Sequence, residues 1–175
     1  MEYHKRKISI ENGRIEFDRG ENFDHWANFI FILISIGFIG FGLIMDSTGI
    51  KQIITTLIFI VIVGLFLMHK ISCTRLRQYQ TKLTSSQFQS ANLSAARLNE
   101  WIVLHNRKDY FEAIKTAGWQ WEGFRITSIL EKNKILVNSM VSPAINSNPF
   151  SFGLNKKNLN ELLRQYENSI MDKEV

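Results

Sequence analysis

Two long apolar segments, separated by only a few residues, constrain this chain more than any other feature. The first, 26–45, reads WANFIFILISIGFIGFGLIM and contains no charged side chain. At 1.5 Å per residue, a helix of this length spans about 30 Å, the thickness of a bilayer's hydrocarbon core. The second, 50–68, is free of charge from Ile53 onward. The pattern therefore predicts two transmembrane helices.

The link between the segments indicates how these helices are arranged. It reads DSTG over 46–49, a composition typical of a turn, and so short a link forces an antiparallel pair. Amphipathic and basic side chains at the segment ends are expected at the lipid–water interface, where aromatic rings and long cationic chains are favoured. These interfacial candidates are Trp26, Lys51, His69 and Lys70.

The distribution of basic residues predicts an orientation and a division into parts. Five Lys and Arg precede the first segment, Lys51 alone lies near the turn, and fifteen follow the second segment. By the positive-inside rule, both termini are cytoplasmic and the turn is outside. The predicted parts are a cytoplasmic tail, 1–25, a transmembrane hairpin, 26–69, and a cytoplasmic domain, 70–175.

Several patterns predict the elements of the cytoplasmic parts. Alternating apolar residues flank Asn12-Gly13 in the tail, which favours a tight β-hairpin. The stretch 69–83 is expected to continue the second helix beyond the membrane. Apolar spacing over 106–118 predicts a short helix that stops at Gly118, while 93–104 fits either a helix or a strand and 85–96 has no assignment.

The C-terminal part predicts two strands and a final helix. Within 119–141, alternation at Phe124, Ile126 and Leu130 indicates the first strand, a run rich in β-branched residues over 135–141 indicates the second, and the turn lies at 131–134. The final helix covers 158–170, and Asn158 with Glu161 matches a capping box. Neither hairpin is stable alone, so the economical arrangement joins both in one small sheet. The predicted fold class is a transmembrane α-helical hairpin with a small cytoplasmic α+β domain formed by the N-terminal tail and the C-terminal half.

Small and polar residues inside the apolar segments are candidates for helix packing or a pore. Glycines permit close approach of another helix, and polar groups at membrane depth seek partners or a wet lumen. Ordinary packing within the hairpin is the alternative. Because two helices cannot enclose a water path, conduction requires a closed ring of subunits. The candidates are Asn28, Ser35, Gly37, Gly40, Gly42, Thr55 and Thr56.

Other site chemistry is sparse in the sequence. One cysteine, Cys73, excludes an internal disulfide, and with four scattered histidines it gives no zinc pattern. Acylation of Cys73 and an inert thiol remain alternatives. The chain has no nucleotide-binding glycine loop or nucleophile elbow, and no basic stripe interleaved with aromatics. We therefore predict no enzyme, no cofactor, no metal and no direct nucleic-acid binding.

One loose motif of catalytic type precedes the first segment. Arg19 and His25 form R-x5-H within RGENFDH. In metal-free RNA cleavage, a histidine acts as general acid or base while an arginine stabilises the developing phosphorane charge. Arg19 and His25 are thus weak catalytic candidates, and the alternative is a pair of interfacial residues at the membrane entry.

In size, in the layout of its apolar segments and in RGENFDH, the chain resembles the small transmembrane accessory proteins of type VI-B CRISPR systems. The resemblance implies a homo-oligomeric pore in the bacterial inner membrane that supports antiviral defence, functionally coupled to an RNA-guided RNase. One departure argues against a ribonuclease role for Arg19 and His25: HEPN nuclease domains are all-helical, whereas two β-hairpins are predicted here.

Three functions remain open at this point. The first is a homo-oligomeric, membrane-perturbing pore. The second is a non-conducting, membrane-anchored binding module, such as an immunity protein or a scaffold. The third is a membrane-tethered RNase. The lipid bilayer is the expected partner in all three, and further copies of the chain are expected in the first.

Overall fold

A computed structural model describes residues 8–9, 13–15, 19–117, 122–142 and 153–171. It contains four helices and two antiparallel sheets in these ranges. In chain order the elements are β1 (Ile8–Ser9), β2 (Arg14–Ile15), α1 (Arg19–Met45), α2 (Ile50–Ser72), β3 (Arg77–Gln80), α3 (Ser85–Leu98), β4 (Ile102–Asn106), β5 (Tyr110–Ala117), β6 (Glu122–Glu131), β7 (Lys134–Val141) and α4 (Leu154–Met171).

The larger sheet has five antiparallel strands in the order β3-β7-β6-β5-β4. Strands β4 to β7 form a meander, in which each strand pairs with the next along the chain. Strand β3 comes earlier in sequence and joins the outside of β7, with Arg77 opposite Val137. Helix α3 therefore carries the chain from one edge of the sheet to the other.

Helices α3 and α4 cover one face of this sheet and enclose the core. Phe88 of α3, Phe111 and Ile126 of the sheet, and Leu162 of α4 are fully buried there. A capping box starts α3: the Thr84 hydroxyl accepts from the Gln87 N–H, and the Gln87 side chain accepts from the Thr84 N–H. This arrangement satisfies two backbone donors that the first turn leaves free.

The strands predicted over 119–141 are confirmed as β6 and β7 from Glu122 onward, whereas the helix predicted over 106–118 is wrong. Positions 118–121, including the stop predicted at Gly118, lie outside the described residues. That stretch contains the last residue of β4 and all of β5, and these two strands pair with each other. Phe111 and Ala113 are buried in the core at a spacing of two, and β5 also pairs with β6 along its length. Pairing on both edges outweighed an apolar spacing that happened to fit a helix.

Other expected boundaries also change. Helix α2 ends at Ser72 and does not continue to 83, because β3 takes that stretch into the sheet. Helix α4 begins at Leu154, so Asn158 is not its cap. Instead, Asn158 is buried; its amide nitrogen lies 3.4 Å from the Ser139 hydroxyl and its oxygen 3.5 Å from the Lys115 ammonium.

The hairpin predicted in the N-terminal tail is present as β1 and β2, with Gly13 at a φ of +60°. Its turn is not the predicted two-residue one, because Ser9 pairs with Arg14 and four residues separate the strands. The expectation that it joins the later strands in one sheet is wrong, since β1 and β2 form their own two-stranded sheet. It is tied to the chain after α2 by backbone bonds, from Ile15 N–H to the Thr74 carbonyl and from Leu76 N–H to the Gly13 carbonyl.

The predicted two-span membrane hairpin is also wrong. Within the described residues, α2 is the one helix that is long and apolar enough to cross a membrane, judged by length and composition. The apolar part of α1 within the described residues is Phe29–Met45. At 1.5 Å per residue it reaches about 26 Å, short of the about 30 Å of a hydrocarbon core. The sequence estimate of the first segment included 26–28, which contains the polar Asn28.

Candidate functional site

Helices α1 and α2 pack together as an apolar arm, the name used below for this pair. Gly40 is buried between them, and a Cβ placed there would lie 2.6 Å from the ring of Phe59. Glycine at this position is what allows the two helices to approach so closely. The turn at 46–49 connects them, with Gly49 at a φ of +59°.

The outer surface of the apolar arm is uncovered. None of the most apolar 18-residue stretch of α2 is buried. Monomers in water seldom expose contiguous apolar patches beyond a few hundred Å². A surface of this kind requires another apolar phase or partner against it. Its exposed members include Phe31, Phe38, Ile39, Phe41, Ile58, Ile60, Val61 and Leu65.

The polar side chains of the apolar arm are satisfied within their own helices. Hydroxyls of Ser35, Thr55 and Thr56 donate to the backbone carbonyls four residues earlier, at 3.0, 2.9 and 2.8 Å. Such bonds remove the need for an external partner or a wet lumen. The side chain of Asn28, the fourth polar candidate, lies outside the described part of the chain.

The three candidate glycines do not share a role. Gly40 makes the contact between α1 and α2, whereas a Cβ at Gly37 or Gly42 would meet nothing within 4 Å. The structure therefore assigns one of them to packing inside the hairpin. It leaves the other two at positions where no described neighbour requires a glycine.

Most of the predicted interfacial residues lie at one end of the apolar arm, which we call its base. The Trp26 ring packs edge-on against Phe29 at 5.8 Å, and the Lys70 ammonium lies 5.8 Å from the Phe29 ring centroid. His69 is one turn before Cys73, with 3.7 Å between its Nε2 and the Cys73 sulfur. Lys51 is separate, exposed near the turn that forms the other end of the arm.

A buried asparagine fixes the base to the five-stranded sheet. The amide nitrogen of Asn138, on β7, donates to the carbonyls of Cys73 and Arg75, both at 2.8 Å. These carbonyls follow the last turn of α2 and have left the helical bonding pattern. The C-terminal end of α2 is therefore attached to β7 by hydrogen bonds and not only by the chain that connects them.

A polar cavity of about 160 Å³ lies beside this junction. It is bounded by the end of α2, the start of β3, the part of β7 that extends beyond β3, and the first turns of α4. Burial raises the pKa of the Cys73 thiol at its wall, while the charge of Lys70 acts in the opposite direction. A thiol kept protonated is a poor nucleophile, which favours the inert alternative over acylation.

A cluster of charged side chains occupies the sheet face opposite the helices. The buried Glu112 carboxylate accepts a hydrogen bond from the Tyr110 hydroxyl at 2.9 Å and lies 3.4 Å from Arg125 Nε. His105 Nε2 is 4.0 Å away. A buried carboxylate compensated by an arginine is typical of a structural ion pair. The sequence pattern did not reveal this cluster, because Glu112 lies within 106–118, where a helix was predicted.

A second buried polar network links three elements of the core. The Tyr166 hydroxyl of α4 lies 2.6 Å from Asn92 Oδ1 on α3 and 2.7 Å from Ser128 Oγ on β6. Burial holds the pKa of the Tyr166 phenol well above its usual range, and the bond to Ser128 acts against that rise. The network positions both helices on the sheet and has no access to solvent.

The R-x5-H candidates remain a prediction. Positions 19 and 25 both lie on α1, and their side chains are outside the described part of the chain. On an α-helix, positions six apart are separated by about 120° around the axis and about 9 Å along it. Positions 19 and 25 therefore do not share one face of α1.

No metal cluster of three or more His, Cys, Asp or Glu occurs among the described residues. No family model, no curated protein and no solved structure matches the chain. The resemblance to type VI-B accessory proteins gains no support from these comparisons, and the pore and the coupling to an RNA-guided RNase stay predictions. The features that remain to indicate function are the apolar arm and the domain attached to its base.

Proposed function

We propose that this protein is a non-conducting, membrane-anchored binding module, in which α2 crosses the bilayer and the five-stranded sheet with α3 and α4 forms the binding domain. The observation that carries the proposal is that none of the most apolar 18-residue stretch of α2 is buried. The proposal assigns the membrane crossing to α2.

Contact with lipid is energetically favourable for the exposed apolar side chains. Burial of one Leu, Ile or Phe side chain is worth about 1.5–3 kcal/mol. Covering half a dozen of the exposed side chains of the apolar arm therefore yields roughly 10 kcal/mol, as much as the whole stability of an ordinary domain. Lipid supplies this cover along the full length of α2 without a specific partner surface.

Two observations support a module that anchors and does not conduct. The hydroxyls of Ser35, Thr55 and Thr56 are bonded within their helices, so they do not need a water-filled lumen. From Ile53 to Met68, α2 carries no charged residue to line one. The domain is placed on the cytoplasmic side, because fifteen basic residues follow the second apolar segment.

The test is membrane fractionation with alkaline carbonate extraction. The perturbing variant is Ile58→Lys/Val61→Lys/Leu65→Lys, three exposed positions of α2. Each lysine costs about 2.5–3.5 kcal/mol at the centre of a spanning helix. The wild-type chain is expected to resist extraction, and the variant is expected to leave the membrane fraction.

The matched control is Leu93→Lys/Leu98→Lys/Ile102→Lys, three exposed apolar positions on the domain. It adds the same charge and is expected to stay in the membrane fraction. Release of the wild type by carbonate, or retention of the α2 variant, contradicts anchoring. In the same cells, expression is expected to leave the membrane potential unchanged, and a depolarisation would contradict the non-conducting assignment.

A further inference from the structure

We propose that the outer edge of β4 pairs with β4 of a second copy of this chain, so that two sheets join into one continuous antiparallel sheet. Strand β4 is the last strand of the five-stranded sheet, and no described strand pairs with its outer edge. In an antiparallel pair, alternate residues direct their backbone groups away from the partner strand. An edge strand therefore presents unpaired N–H and C=O groups that another strand can bond.

The two edges of the sheet differ in the side chains that they expose. Strand β3, at one edge, reads RQYQ, and its Arg and Gln side chains are exposed. Charged and polar side chains at an edge discourage pairing with another chain. Strand β4, at the other edge, instead exposes Ile102, Val103 and Leu104. Of the two edges, β4 is thus the one that combines free backbone groups with an apolar surface.

The side of α3 next to β4 continues this apolar surface. The Gln89 side chain donates to the Asn106 carbonyl at 3.3 Å, and the Asn106 side chain donates to the Gln89 carbonyl at 3.2 Å, so this side of α3 faces β4. Leu93 follows Gln89 by one turn on the same side and is exposed. Val103 lies on the helix-covered face of the sheet, because it pairs with Ala113 of the core. A partner that covers the whole surface therefore supplies a strand with a helix beside it.

A second copy meets this requirement by symmetry. A two-fold axis perpendicular to the sheet places the two β4 strands antiparallel and keeps the α3 helices of both copies on the same face. The sides of α3 that contain Leu93 then meet each other across the axis. A bare strand from another protein would pair with β4 but would leave Leu93 in water, so the apolar surface favours a second copy as the occupant.

Charges at the two ends of β4 complement each other in this arrangement. Glu100 precedes the strand and Lys108 follows it, and both are exposed. Neither makes an ion pair within the described part of the chain. Self-pairing centred near Leu104 brings Glu100 of each protomer opposite Lys108 of its partner, because the two residues lie equally far from the centre. Such complementary charges fix the register of an interface.

The backbone at Glu100 gives a second reason to assign a role to its side chain. Glu100 has a φ of +57° and is the one residue other than glycine with a positive φ in the described ranges. It follows the end of α3, where the Trp101 N–H donates to the Ala96 carbonyl at 2.8 Å. Glycine adopts this conformation with less strain and is the usual residue there. The contact with Lys108 of a second copy explains why a glutamate is present instead.

The size of the contact indicates how strong it is. A strand of five residues is about 17 Å long, and a sheet layer with a helix layer is about 20 Å deep. The edge therefore buries roughly 350 Å² per copy and roughly 700 Å² in total, below the about 1,200 Å² of a stable complex. The association is thus weak in dilute solution. Confinement of both copies to one membrane, which rests on the proposed function, raises their effective concentration and favours pairing.

The test is disulfide trapping of the purified full chain in a neutral detergent, which captures weak contacts and does not require insertion into a bilayer. In a Cys73→Ser background, single cysteines are introduced at the proposed contact, Val103→Cys or Leu104→Cys, and at the opposite edge, Gln78→Cys or Gln80→Cys. All of these positions are exposed. Under mild oxidation, the β4 cysteines are expected to form dimers about tenfold faster than the β3 cysteines, because residues opposite each other in paired strands bring their Cβ atoms within disulfide range.

Charge reversal tests whether the partner is a second copy. Glu100→Lys and Lys108→Glu each convert two symmetry-related attractions into two like-charge contacts, and each is expected to slow trapping at Leu104→Cys by about tenfold. The double variant restores opposite charges across the axis and is expected to recover the original rate. Lys132→Glu, an exposed position at the turn between β6 and β7, is the matched control and is expected to leave the rate unchanged.

Two results overturn the pairing. One is equal trapping at the β3 and β4 edges, including no trapping at either, which would leave β4 to a strand of another protein. The other is a double variant that remains as slow as the single variants. Because carbonate extraction reports the anchor whether or not β4 pairs, failure of the anchor and failure of the pairing are distinguishable.

Discussion

The contact between Gly40 and Phe59 offers a sharp perturbation of the apolar arm. In Gly40→Ala, the new Cβ would lie 2.6 Å from Cδ2 and Cε2 of the Phe59 ring. Carbon atoms in favourable contact are about 3.5–4.0 Å apart, so the ring or the helix must move by about 1 Å. The expected cost of such overpacking is about 1–3 kcal/mol.

The matched control is Gly42→Ala, two residues along the same helix, where a Cβ meets nothing within 4 Å. Both variants gain the same helix propensity, about 1 kcal/mol for Gly to Ala in a helix interior. The difference between their free energies of unfolding therefore isolates the overpacking cost of about 1–3 kcal/mol. For a chain of this length, that separates their thermal midpoints by roughly 3–10 °C.

The assay is thermal unfolding in detergent, followed by circular dichroism, for each variant in the wild-type and in a Phe59→Ala background. Removal of the ring is expected to abolish the difference between Gly40→Ala and Gly42→Ala. Equal midpoints in the wild-type background would refute the close contact between α1 and α2. A lower midpoint for Gly42→Ala alone would instead place a second helix at Gly42, as in an oligomer.

Three further expectations concern the domain and its junction. Tyr166→Phe removes the hydroxyl that two buried partners contact and is expected to lower the free energy of unfolding by about 1–3 kcal/mol. Tyr79→Phe, whose hydroxyl makes no described bond, is expected to change it little, and equal effects of the two variants on denaturation would contradict the network. Glu112→Ala breaks a buried ion pair and is expected to lower the free energy of unfolding by about 3–5 kcal/mol, whereas Glu131→Ala, at a more exposed pair, lowers it by less than about 1 kcal/mol. Similar losses of stability in the two variants would rule out a structural role for the buried cluster. Because the pKa of the Cys73 thiol is raised, the thiol is protonated at neutral pH, and its alkylation is expected to be slower than that of a free thiol at pH 7.5 and to accelerate above pH 9. A fast reaction that does not depend on pH would contradict the burial of Cys73.

The elements that sequence patterns identified share a strong local signal. Strand β6 has apolar residues that alternate with polar ones, strand β7 is rich in β-branched and other apolar residues, and the two meet at a tight turn, where Lys134 pairs with Glu131 at 2.8 Å. The apolar run of α2 is unbroken by charge, so its existence follows from composition alone. In both cases, residues close together in sequence are sufficient to predict the element.

The missed elements depend on partners that are remote in sequence. Strand β5 has an apolar spacing compatible with a helix, and only its pairing with β4 and β6 decides otherwise. Helix α3 buries small side chains such as Ala91 and Ala95, which give little hydrophobic contrast. Its capping box at Thr84 and Gln87 was a readable signal.

The cavity at the base was not predictable from local patterns at all. Its walls come from three separate stretches, at 72–77, 138–139 and 153–159. They meet only because β3 pairs with the far strand β7 and leaves Asn138 beyond its end. The spacing of residues within any one of these stretches does not predict that the three meet.

The central claim is that α2 lies in the bilayer, and depth measurement by electron paramagnetic resonance tests it most directly. The chain has one cysteine, so a Cys73→Ser background accepts a single spin label at Val61→Cys in mid-α2 or at Leu98→Cys on the domain. In reconstituted vesicles, the label at Val61 is expected to be accessible to oxygen and shielded from an aqueous nickel reagent, with the reverse at Leu98. Equal access of the nickel reagent to both labels would contradict a membrane anchor.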